Sequence, residues 1–249
     1  MELRELVAFL DEYLRIRQIP DDSLNGLQVA GTNRVLRIAS TTDASLLAFR
    51  KAVEHGAQML LVHHGLFWGN SFALVGVQYE RIRELFKAEC SLYAAHLPLD
   101  LHPDVGNNAV LARMLSLQDL EPFGFHHGVA LGWAGTLPTV LPVEQLREQL
   151  EKQLHNRIEA WPFGKESIRT VAIVSGYAGD LLVEGFHRYD LLITGGAGPA
   201  IFRLSQDAGQ SILFAGHYAS ETIGVKALGE FLAIRFGLEH VFLDLPCPY

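Results

Sequence analysis

Cysteine is scarce in this sequence: only Cys90 and Cys247 occur in 249 residues, and no Cys-x-x-Cys spacing exists. A thiolate zinc site and a disulfide framework are therefore excluded as the organising chemistry. Cys90 sits at the edge of an apolar strand and Cys247 in the tail, which reads as one buried thiol and one stray one. Basic clusters are absent as well. Lys and Arg number 20 against 28 Asp and Glu, a net charge of -8, and without a cationic stripe to neutralise phosphates the sequence argues against direct nucleic-acid binding. No apolar run approaches the 18 or so residues of a membrane span. The start, Met-Glu-Leu-Arg-Glu-Leu, lacks the basic and apolar blocks of a signal peptide. These absences lead to the expectation of a cytoplasmic chain that makes no membrane contact.

What is present is a full core. Hydrophobic residues make up 49% and charged residues 19%, which excludes a disordered chain. Leu3, Leu6, Val7, Leu10 and Leu14 lie at helical spacing before Pro20. Further helices are expected over 45–55 (with Gly56 closing it), 78–88, 107–115, 143–154, 181–187, 199–207 and 218–236. Short apolar strands are expected over 35–40, 58–62, 91–95, 129–135, 167–174, 191–194, 211–215 and 241–243. Strands alternating with amphipathic helices give an α/β fold. The order hides a repeat: Leu60–Gly65 parallels Leu191–Gly196, and Ser91–His96 parallels Ser211–His217. In each half an acid follows a histidine by four residues, Asp100 after His96 and Glu221 after His217. This suggests two duplicated α/β domains, 1–125 and 126–249.

Histidines and carboxylates gather just past apolar strands, where open α/β sheets bind ligands. His63 and His64 follow Leu60-Leu61-Val62. On a regular strand the two would point to opposite faces, but at a strand-to-turn junction both rings can aim into one cleft. Asp100 follows Tyr93–Ala95 and Pro98; taken singly it reads as a helix cap. His217 and Glu221 lie one helical turn apart, near a helix start that favours an anion. Imidazole with carboxylate suits zinc, iron, manganese, nickel or cobalt rather than calcium. Three histidines and two carboxylates exceed the needs of one tetrahedral ion, so a pair of ions bridged by a carboxylate, with Glu221 in that position, is expected. His96 is assigned a supporting or acid/base role. His126 and His127 read as surface, and His55 as a favourable helix C-terminal charge. His102, His155, His187 and His240 read as structural. The Thr194–Pro199 turn could cradle an anion, though tight turns also use glycine. Asn25–Val29 reads as a turn entering a strand.

Five motifs, Asn25-Gly26-Leu27-Gln28-Val29, Leu61-Val62-His63-His64-Gly65, Tyr93-Ala94-Ala95-His96-(x3)-Asp100, Ile193-Thr194-Gly195 and Gly216-His217-Tyr218-(x2)-Glu221, appear in an order that resembles the homologues of GTP cyclohydrolase 1 type 2, the Ngg-interacting-factor family, in its short form. The resemblance implies two intertwined, duplicated α/β domains with mixed sheets meeting at a di-metal cleft. It implies metal ligands at His63, His64, Asp100, His217 and Glu221, two divalent ions per chain (zinc, iron, manganese or nickel), and a toroidal homohexamer. The activity it implies is a dinuclear-metal-dependent hydrolase acting on a nucleotide or related small molecule through a metal-activated water. Many members carry an acid where this chain has Gly196, and Thr-Asn where it has Leu97-Pro98; these departures bear on substrate rather than ligands. The family's other name favours a second reading, a metal-binding regulatory or partner-binding protein without turnover. The third is an α/β protein whose histidines serve structure only.

Overall fold

In the computed structural model, residues 1–126 and 128–247 are described. The chain forms two compact units, one of residues 1–105 with 224–245 and one of residues 106–223 with 246 and 247.

The first unit contains α1 (Leu3–Tyr13), β1 (Gly26–Val29), β2 (Arg37–Asp43), α2 (Leu46–Glu54), β3 (Met59–His64), α3 (Val77–Lys87), β4 (Ser91–Ala94) and the short α4 (Leu97–Asp100). The later part of α8 (His217–Phe236) and β11 (Glu239–Phe242) complete it. Its sheet runs β1-β4-β3-β2-β11. β4, β3, β2 and β11 are parallel, and β1 closes the edge antiparallel to β4. Interior parallel strands are covered on both faces, which is why β3 is a continuous apolar run. Its alternation divides two cores. Met59 and Leu61 pack with Leu3, Leu6 and Leu10 of α1 and Val225, Leu228 and Leu232 of α8. Leu60 and Val62 pack with Ala48, Phe49 and Ala52 of α2 and Ile82 and Leu85 of α3. α2 begins where the Ser45 hydroxyl accepts the Ala48 N–H at 3.1 Å. It ends at Gly56, whose φ of +68° suits a residue without Cβ.

The second unit contains α5 (Asn107–Met114), β5 (Gln118–His126), β6 (Val129–Pro142), α6 (Val143–Leu154), β7 (Glu159–Trp161), β8 (Ser167–Val174), a 3-10 helix over Gly179–Gly185, β9 (Leu191–Thr194), α7 (Pro199–Ala208), β10 (Ser211–Phe214) and the start of α8. Its sheet runs β5-β6-β8-β9-β10-β7. β8, β9 and β10 are parallel, and β7 is antiparallel to β10. The repeat seen in the sequence is thus a repeat of topology. The series α1-β1-β2-α2-β3-α3-β4 recurs as α6-β7-β8-(3-10)-β9-α7-β10, with the same strand neighbours and directions. β4 and β10 are equivalent strands, and each is followed by a histidine at the start of a helix, His96 just before α4 and His217 opening α8, with an acid four residues on.

Several details differ from the sequence expectation. The helix expected over 181–187 is a 3-10 segment shifted to Gly179–Gly185, a stretch holding two glycines and an aspartate, all poor helix formers. β6 runs on to Pro142 because it pairs with both β5 and β8. β5 and β7 are further strands. A division at 125/126 falls inside β5, whereas the units divide within α8 and near residue 105. Among the described residues no helix is long and apolar enough to cross a membrane.

Candidate metal centre

His63 and His64 are the last two residues of β3. β3 therefore extends through both of them, since His64 still pairs with Asp43 of β2. Their ring centroids are nevertheless only 4.7 Å apart, because both side chains reach past the carboxyl end of the shorter β4. His63 is fully buried and its Nδ1 meets the Ala95 carbonyl at 2.9 Å. A carbonyl only accepts, so Nδ1 carries the proton and the neutral ring has its lone pair on Nε2. That Nε2 lies 3.6 Å from Asp100 Oδ2. His64 Nδ1 meets Asp43 Oδ1 at 2.8 Å, so a carboxylate fixes its ring in the same sense.

His96, the residue before α4, joins them. Its centroid lies 5.0 Å from that of His63 and 5.6 Å from that of His64. Its Nδ1 donates to Asp21, 3.0 Å and 3.1 Å from the two oxygens. One donor atom from each of His63, His64 and His96 falls within 4.8 Å of the others, a grouping able to hold a metal ion. Asp100 ends α4, with its N–H on the His96 carbonyl at 3.2 Å.

A loop packs around these rings. Asp21 is braced by the N–H groups of Ser23 and Leu97 and by Asn25 Nδ2. Burial alone would raise the Asp21 carboxyl, but the hydrogen bond and charge of His96, with Asn25 and Ser23, outweigh it and hold the pKa at about 2. Asn25 Oδ1 accepts the His96 N–H at 2.7 Å. Gln28 accepts the Leu66 N–H at 2.7 Å and donates to the Leu24 carbonyl. A Cβ on Gly65 would stand 2.3 Å from Gln28 Nε2 and 2.7 Å from the Ala94 Cβ, so the residue after the histidine pair must be glycine. Trp68 meets His96 edge to face at 4.9 Å. Asn25–Val29 is accordingly more than a turn: it supplies β1 and two side chains that fasten the histidine loop.

In the second unit, His217 opens α8 and Glu221 stands one turn on, with His217 Nε2 3.1 Å from Glu221 Oε2. Glu221 is buried. The Gly176 N–H donates to Ser220 Oγ at 3.1 Å, and that hydroxyl donates to the His217 carbonyl at 3.0 Å. Gly176 has φ +70°, and a Cβ there would lie 2.3 Å from Glu221 Oε1. The Gly195 and Gly196 N–H groups both donate to the Gly176 carbonyl, at 2.9 Å and 3.1 Å. Two of the donors that the anion-cradle reading of the Thr194–Pro199 turn would use are thus engaged in holding the loop beside Glu221.

Of the remaining histidines, His102 Nδ1 accepts the N–H groups of Asp104 and Val105. His240 Nε2 bonds Ser40 Oγ at 2.8 Å. His126 is exposed and His127 lies outside the described residues. Asp43 and Asp21 were not singled out from the sequence, and Asn25 was read only as part of a turn and a motif, not as a partner of His96. Asp43 had a signal, an acid ending an apolar strand, but the strand was expected to stop at residue 40.

The model of the family Duf34/NIF3 (NGG1p interacting factor 3) matches residues 1–248. A GTP cyclohydrolase 1 type 2 homolog of Pyrococcus abyssi is 43% identical over 247 residues, covering 99% of both chains. The protein of the same name from Deinococcus radiodurans is 44% identical over 243 residues, 97% of this chain and 92% of that one. The crystal structure of TTHA1606 from Thermus thermophilus superposes with a TM-score of 0.93 at 42% identity, covering all of both chains. With likeness in sequence and in fold running from end to end, this chain belongs to the Duf34/NIF3 family.

Proposed function

We propose that the chain is a dinuclear-metal-dependent hydrolase acting on a nucleotide or related small molecule. In this reading His63, His64 and Asp100 from the first unit, with His217 and Glu221 from the second, hold two divalent ions of the zinc, iron, manganese or nickel class. The observation that carries it is the bracing of the imidazoles. His63 and His64 each have Nδ1 fixed on an acceptor, the Ala95 carbonyl and Asp43, an arrangement that orients metal-binding histidines and raises their basicity. The second nitrogen of His63 faces a carboxylate, Asp100, at 3.6 Å, so nitrogen and oxygen donors stand side by side there. The donors are nitrogen and carboxylate oxygen, which suits these metals.

Bound divalent ions supply Lewis-acid charge, which polarises a substrate and eases deprotonation of water near neutral pH. The residues do the rest. Asp43 and the Ala95 carbonyl keep the rings in one tautomer, and the buried Glu221 carboxylate would be among the groups that hold the ions. The name shared by the curated relatives supports a guanine nucleotide as the first substrate to try. The family resemblance supports a toroidal homohexamer. Large apolar side chains left exposed on the first unit, Leu74, Val75, Val77, Tyr79 and Phe86, are consistent with assembly.

The test is turnover by the metal-loaded protein on GTP and a panel of nucleotides and phosphoesters, followed by chromatography. Release of product that His64→Ala reduces roughly 100-fold or more is expected. An unchanged panel with the site full of metal would favour the second reading, a metal-binding regulatory or partner-binding protein without turnover.

A further inference from the structure

The outer edge of the first unit's sheet lies apart from the metal centre. β1 is the terminal strand and pairs only with β4. Among the described residues, no hydrogen bond joins the backbone of residues 27–30 to anything beyond that ladder. A strand with one free edge is a template for a further strand. Here the edge borders a groove of about 650 Å³ whose other wall is α1.

The two walls run antiparallel. At one end the Leu3 N–H donates to the Asn33 carbonyl at 2.7 Å. At the other, a Cβ on Gly26 would stand 3.6 Å from Asp11 Oδ1 and 3.9 Å from Ile16 Cγ2. Val7, Ala8, Leu27 and Ala30 give the groove an apolar lining. Leu27 faces α1 because it sits opposite Tyr93 in the ladder, and the Tyr93 hydroxyl donates to Asp11 of α1 at 2.9 Å. Charge stands at the ends. Arg4 lies beside the Leu3–Asn33 closure, while Arg15 and Arg17 lie at the Gly26 end. The turn that carries these two is ordered by its own bonds, Ile16 N–H to the Asp11 carbonyl at 3.0 Å and Gln18 N–H to the Arg15 carbonyl at 2.9 Å. Among the described residues none of the three arginines forms an ion pair. The acids on the same walls are Asp11, held by Tyr93, and Glu12.

A free strand edge, an apolar lining and a cationic end together suit an extended peptide. Its backbone bonds the edge, alternate side chains fill the lining, and a carboxylate meets the guanidiniums. From Arg4 to Arg15 the helix rises about 16 Å, at about 1.5 Å per residue. About five residues of strand span that length at roughly 3.3 Å each. A strand antiparallel to β1 runs toward the Gly26 end, so its carboxyl terminus falls beside Arg15 and Arg17.

We propose that the groove between α1 and β1 is a peptide-docking site, which adds the acidic carboxyl-terminal segment of a partner polypeptide to β1 as an antiparallel strand. The site shares none of the proposed metal ligands and stands whether or not the chain turns over a substrate.

The experiment is fluorescence anisotropy of the full chain with peptides labelled at the amino end: Ser-Thr-Val-Thr-Val-Asp with a free carboxyl terminus, its carboxamide, and the same peptide ending in lysine. Amide hydrogen exchange over residues 26–31 is followed in parallel. The free-acid peptide should bind saturably and slow exchange in that segment. The other two should bind less tightly, and Arg15→Glu/Arg17→Glu should weaken the free-acid peptide about 10-fold or more. Binding that ignores the two substitutions, or that slows no amide in residues 26–31, would overturn the proposal. So would the absence of binding at about 1 mM peptide. Should the double variant fail to fold, salt decides on the wild type: affinity for the free-acid peptide must fall more steeply with ionic strength than affinity for the lysine-ended one, and equal slopes refute the assignment.

Discussion

Gly176 leaves no room for a side chain beside Glu221. Its backbone sits at φ +70°, and a methyl there would reach within 2.3 Å of Glu221 Oε1. Gly176→Ala must therefore strain the turn, displace the carboxylate, or both. We expect a loss of about 1–3 kcal/mol in stability and weakened metal binding, read by denaturant titration and metal analysis. Wild-type behaviour in both would show that Glu221 tolerates displacement. Gly65 makes the parallel case in the first unit, against Gln28 and Ala94. The proposed ligands could be singled out in the sequence because each places a histidine or acid near the end of an apolar strand. Their braces could not, because Asp21, Asn25 and Asp43 act through distant partners. Asp21 reaches His96 across 75 positions, and nothing in its turn-like surroundings announces that contact.

Among the elements, α8 and β11 are tied by a close approach. A Cβ on Gly229 would stand 2.1–2.6 Å from the His240 ring, and that ring is anchored on Ser40. Helix propensity favours alanine over glycine by about 1 kcal/mol. Overpacking costs about 1–3 kcal/mol, so Gly229→Ala should be destabilising on balance, with a lowered denaturation midpoint; a raised one would mean the ring moves freely. Burial lowers the His240 pKa, with Glu230 opposing and Lys226 adding to the shift. The folded imidazole thus resists a proton that the unfolded one takes near pH ~6.5. Stability from neutral His240 is full above that pH and is lost as pH falls through the folded value. Denaturation midpoints should drop below pH ~6.5, and less steeply in His240→Gln; equal slopes would assign the effect elsewhere. Helices and parallel strands stood out in the sequence because their apolar periods are strong. β5 did not, because its first five residues are exposed and alternate nothing.

At the scale of the whole chain, duplication was visible in matched segments, but the division of the units was not. The chain returns to the first unit only at Gly224, bringing Val225, Leu228, Leu232 and Leu238 into its core and β11 to its sheet. Four such side chains contribute on the order of 6–12 kcal/mol by burial, comparable to the whole stability of a domain, about 5–15 kcal/mol. A fragment of residues 1–105 should therefore lack a cooperative unfolding transition, and joining 224–245 to it through a flexible linker should restore one. A cooperative transition in the shorter fragment would show that α8 and β11 are accessory.

The central claim is that five residues of this chain hold a pair of metal ions. Elemental analysis of the purified wild type beside His64→Ala and Glu221→Ala tests it most directly. The account predicts near two ions per chain in the wild type, and fewer in both variants. A wild type without metal that gains none after incubation with zinc, manganese, iron or nickel would contradict it.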